Sequence, residues 1–86
     1  MPIQPIQDTP AQIAKHYSAA LDSVNLINTL VAKTIKTADD IGSLTRNVDH
    51  LKIMVAKTFW TTEDMAPLNA AIVAGTTAIA DGVTPV

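Results

Sequence analysis

Three times along this chain, a threonine-led start signal precedes a run whose apolar residues recur at alternating steps of three and four. That spacing puts side chains on one face of an α-helix, whereas a strand needs alternation at every second residue. "TPAQ" at residues 9–12 opens the first run. Thr9 offers a capping hydroxyl, Pro10 stands where a missing amide costs least, and Gln12 can reach back to complete a capping box. Ile13, Tyr17, Ala20, Val24, Ile27 and Val31 follow as one stripe. Lys33 and Lys36 suit the negative end of the helix dipole, so the first helix is expected over residues 10–36.

"TADD" at residues 37–40 restarts the pattern, with Thr37 as cap and Asp39 and Asp40 favouring a helix N-terminus. Ile41, Leu44, Val48, Leu51, Val55 and Phe59 give a second helix over residues 38–59. No Gly or Pro separates the two runs, so one long kinked rod is the alternative to the preferred hairpin. "TTED" at residues 61–64 is a third start signal, with Pro67 in or near the first turn. Met65, Leu68, Ile72, Gly75 and Ile79 form the third stripe, and Asp81-Gly82 with Pro85 provides the stop. The third helix is expected over residues 63–80. The fold class that follows is all-α: an antiparallel three-helix bundle over residues 10–82, with an extended Pro-containing N-terminal arm (1–9) and a short tail (83–86).

The bundle is small. A chain of 86 residues buries only about 63% of its unfolded surface, so a lone subunit is marginal. There is no cysteine, hence no disulfide framework and no thiolate metal site to add stability. Association is the remaining route to more buried area. The net charge is −2 and the Lys and Arg residues are scattered singly, which argues against a nucleic-acid partner. Pro2 and Pro5 stand where a signal peptide would have its basic start and apolar core. Residues 65–80 carry no charge, but the run is too short and too rich in Ala, Thr and Asn for a membrane span.

Several apolar residues do not fit the inward stripes. "PIQPIQ" at residues 2–7 repeats every three residues, the turn period of polyproline II. There Ile3 and Ile6 share a side, giving either an arm that docks on a neighbour or a disordered tail. Ile53 and Trp60 project from the second helix on the side of Arg46, Asp49 and Lys57. Either they form a second contact surface, or the helix ends near Phe59 and Trp60 folds back into the core. Leu26 sits among Lys15, Asp22 and Lys33, and one exposed Leu is ordinary. The third helix carries Ala70, Ala74 and Ala78 at steps of four on its back. Small residues at that spacing let two backbones approach closely, although Ala is also the best helix former and costs little in water. The candidate protein-interaction residues are therefore Ile3, Ile6, Ile53, Trp60, Ala70, Ala74 and Ala78.

No chemistry competes with packing. His16 and His50 have no His, Asp or Glu four residues away, and a surface histidine is the expected role of each. The serines lack a nucleophile-elbow context and the three glycines are isolated, so no phosphate-cradling loop forms. Asp39-Asp40 and Glu63-Asp64 stand at helix starts, where they answer the dipole. The chain reads as a non-enzyme with no cofactor, no metal and no small-molecule substrate. The terminal "TPV" fits a loose carboxylate-capture pattern of too few residues to be specific.

The segment "RNVDHLKIMVAKTFWTTEDMAPLNAAIVAG", residues 46–75, carries a helix end of the form "RNV-HL-IM-AK-FW" followed by "T-ED--P-NAAI-AG". In these features it resembles small, poorly characterised tailed-phage proteins, marine ones especially. The resemblance covers about a third of the chain and implies a viral origin; it brings no activity with it. The expected role is a structural or accessory protein of the virion, packing against itself or against larger virion proteins, with the host cytoplasm as its location before assembly. The alternative is a small soluble phage protein that binds and diverts a host protein. A holin-like membrane protein is third, lacking basic flanks and a long apolar span.

Overall fold

The computed structural model describes residues 9–85. Three helices, α1 Pro10–Val31, α2 Ala38–Val55 and α3 Ala66–Asp81, each pack against the other two. The described residues contain no strand. Contacts along the helices fix their directions. Ser23 on α1 meets His50 on α2, and Lys33 just beyond α1 meets Asp40 in the first turn of α2, so these two helices are antiparallel. Tyr17 on α1 bonds to Asp64 just before α3, and Lys36 after α1 bonds to Thr84 just after α3, so α1 and α3 run the same way. The bundle is up-down-up, and α1 and α2 form a hairpin and not a rod.

The expected capping box at Thr9 forms, and the expected cap at Thr37 proves to be a second one. The Thr9 hydroxyl accepts from the Gln12 amide while the Gln12 side chain accepts from Thr9, and Thr37 and Asp40 repeat the arrangement. Ile27, Leu44, Leu51 and Leu68 are fully buried at the centre, with Ala20, Val24, Val48, Met54 and Ala71 around them.

Each expected helix is longer than the one observed. α1 ends at Val31 and not at residue 36, because residues 32–37 must reverse the chain between antiparallel helices. Lys33 and Lys36 consequently leave the last turn. The Lys33 ammonium reaches Asp40 at 2.7 Å, and the Lys36 ammonium donates to the Lys33 carbonyl at 2.7 Å. α2 ends at Val55 and not at residue 59, because Phe59 and Trp60 turn back onto α1. α3 starts at Ala66 and not at residue 63. Its N-cap position, Met65, has no side-chain cap; the carboxylates of "TTED" serve the connection instead. Glu63 accepts from the Thr61 and Thr62 amides, and Asp64 accepts from the Ala66 amide. The backbone amide of Thr61, with the other local donors, holds the Glu63 carboxyl below its ordinary value of 4.5.

The α1–α2 turn makes a pH prediction. The Lys33 ammonium, and after it the Thr37 amide, holds the Asp40 carboxyl below the ordinary aspartate value of 3.8. A depressed folded value means that the ionised carboxylate stabilises the fold above the unfolded value. That contribution disappears as pH falls through the lower, folded value. Asp40→Asn is therefore expected to lower the melting temperature slightly at neutral pH and to have no charge-related effect in strong acid. Thermal melts of both proteins between pH 2 and 7 check this; a gap that widens toward acid contradicts it.

Candidate functional site

The bundle encloses few polar groups. Ser23 is 8% exposed and is the one buried polar side chain among the described residues. Its hydroxyl shares a hydrogen bond of 2.9 Å with Nδ1 of the half-buried His50, across the α1–α2 contact. This corrects the expectation of a surface role for His50. A hydroxyl both donates and accepts, so the bond forms with either tautomer of the imidazole. The pair therefore ties two helices together. The signal was present in the sequence: Ser23 falls between Ala20 and Ile27 on the inward side of α1.

His16 lies exposed on α1 and stacks on Phe59, with ring centroids 5.2 Å apart and planes 16° from parallel. Trp60 meets Tyr17 edge-on at 5.9 Å and Phe59 at 4.7 Å. Its indole N–H donates to the Met54 carbonyl at 2.7 Å, in the last turn of α2, where that oxygen also accepts from the Lys57 amide at 3.1 Å. Trp60 is thus half-buried and folded back against its own subunit, the second of the two arrangements open to it. Ile53 stays on α2 and is 58% exposed, but Trp60 lies beyond the helix end and shares no helix face with it. Ile3 and Ile6 lie outside the described residues.

The alanines of α3 separate. A step of four residues advances about 40° past a full turn, so the two steps from Ala70 to Ala78 swing about 80° around the helix. Ala70 is exposed, Ala74 is half-buried at the flank, and Ala78 is in the core. The inward face is Leu68, Ala71, Gly75 and Ala78, while Ile72 and Ile79 are half-buried beside it. The small residues do permit a close approach of backbones, and part of that approach takes place inside the subunit. A methyl group built on Gly75 would stand 2.5 Å from Cγ2 of Val48 and 3.2 Å from Cγ2 of Ile27.

The outward face of α3 holds Asn69, Ala70, Val73, Thr76, Thr77 and Ala80, all exposed and all uncharged. Val73 is 67% exposed, the most of any large apolar residue described. The Thr77 hydroxyl donates back to the Val73 carbonyl at 3.0 Å, which satisfies its proton within the helix. The other exposed large apolar residues are Leu26 on α1, Ile53 on α2, Ile35 in the turn after α1 and Val83 after α3, the last two each next to a member of the hydrogen-bonded Lys36–Thr84 pair.

Among the described residues, no three His, Cys, Asp or Glu side chains converge on a common point. No helix there is long and apolar enough to cross a membrane. No protein-family model, curated protein or solved structure matches the chain.

Proposed function

We propose that this chain is a non-enzymatic packing subunit: a small helical virion protein that attaches to itself or to larger virion proteins. The observation that carries the reading is the outward face of α3, uncharged along the helix and centred on Val73. A solvated helix of a small domain ordinarily displays charged residues on its outer face, and α3 has none before Asp81. Ile53 on α2 and the Ile3–Ile6 arm are secondary candidates. The assignment to a virion rests on the resemblance of residues 46–75 to tailed-phage proteins. No nucleic acid, membrane or small-molecule substrate enters the proposal.

Two measurements test it. Mass spectrometry of purified particles from the source phage should find the chain in many copies per particle. Its absence there, with a host protein co-purifying from infected cells, would move the same surface to the alternative reading of a host-directed protein. For the surface itself, Val73→Glu is the sharper variant, because Val73 contributes little to the subunit core. On a water-facing helix this change alters stability by no more than about 0.5 kcal/mol. At a packed contact it buries an unpaired charge, which is far more costly. Light scattering across a concentration series, alone and with candidate virion partners, should show wild-type association and a Val73→Glu chain that stays at its monomer mass of 9.1 kDa. Normal assembly by the variant would remove this face from the proposal.

A further inference from the structure

We draw no further inference here: the strongest candidate, the uncharged outward face of α3 around Val73, belongs to the surface already proposed for packing, and nothing in the structure shows which molecule covers it.

Discussion

Gly75→Ala is expected to destabilise the bundle, although alanine is the better helix former. Exchanging Gly for Ala within a helix ordinarily gains about 1 kcal/mol. Here the added methyl would stand 2.5 Å from Val48, closer than carbon atoms pack, and 3.2 Å from Ile27, a tight contact. Neither neighbour yields easily. Val48 is 2% exposed, Ile27 is fully buried, and β-branched side chains in helices are held to one χ1 rotamer. Overpacking of this kind costs about 1–3 kcal/mol, and a clash with a rigid neighbour, crowded further from a second side, belongs at the upper end. The net loss is then about 1–2 kcal/mol, or roughly 5–15 °C in melting temperature for a domain of this size. Rescue by a second substitution is the diagnostic. Val48→Ala alone opens a cavity and destabilises, but it also removes the atom that the methyl added at Gly75 would strike. Gly75→Ala should therefore be neutral or stabilising in the Val48→Ala background, giving a strongly non-additive double-mutant cycle. A single variant that melts above wild type, or additive effects, would show that α3 does not approach α2 at this point.

The same contact explains which parts of the fold were legible in the sequence. The caps at Thr9 and Thr37 are local, set by residues three apart, and both form, each as a full capping box. The stripes of α1 and α2 face inward for the same reason: Ile13, Val24, Ile27, Leu44, Val48 and Leu51 are large, and burial of large apolar side chains dominates orientation. α3 breaks that rule. With no charged face before Asp81 and small apolar residues among the large ones, its orientation depends on how near the other two helices come, which is a property of the assembled bundle. The closest approach selected Ala71, Gly75 and Ala78 for the inside and left Ile72 and Ile79 at the flanks. Helix ends depart from the local signals where tertiary demands stop a helix that propensity would continue. The chain must turn after Val31, and Phe59 and Trp60 find partners on α1 that a longer α2 would deny them. The Lys36–Thr84 pairing joins positions far apart in sequence, and no local pattern announces it. Of the candidate site, the uncharged character of α3 was legible, but which of its alanines reach the surface was not.

Trp60 gives the second large effect, and it separates a folding role from a docking role. An indole that anchors a partner can be removed with little change to the isolated subunit. Trp60 instead covers Tyr17 and Phe59 and donates its N–H to the Met54 carbonyl at the end of α2. Truncating a fully buried Trp to Ala costs about 3–5 kcal/mol, and the half-buried position of this one reduces that to about 2–3 kcal/mol. Domains of this length are stable by only about 4–13 kcal/mol in total, so Trp60→Ala should lower the melting temperature by roughly 10–20 °C or leave the chain partly unfolded at room temperature. Trp60→Phe keeps an aromatic ring against Tyr17 and loses the hydrogen bond. The Met54 carbonyl still accepts from the Lys57 amide at 3.1 Å, so no acceptor is stranded and the loss should be near ~1 kcal/mol. The expected order of stability is wild type, then Trp60→Phe, then Trp60→Ala, read by circular dichroism melts at a concentration where the chain is monomeric. Trp60→Ala melting within about 2 °C of wild type, together with a lost complex, would instead make this side chain a docking anchor. It would also mean that the end of α2 is closed by other contacts.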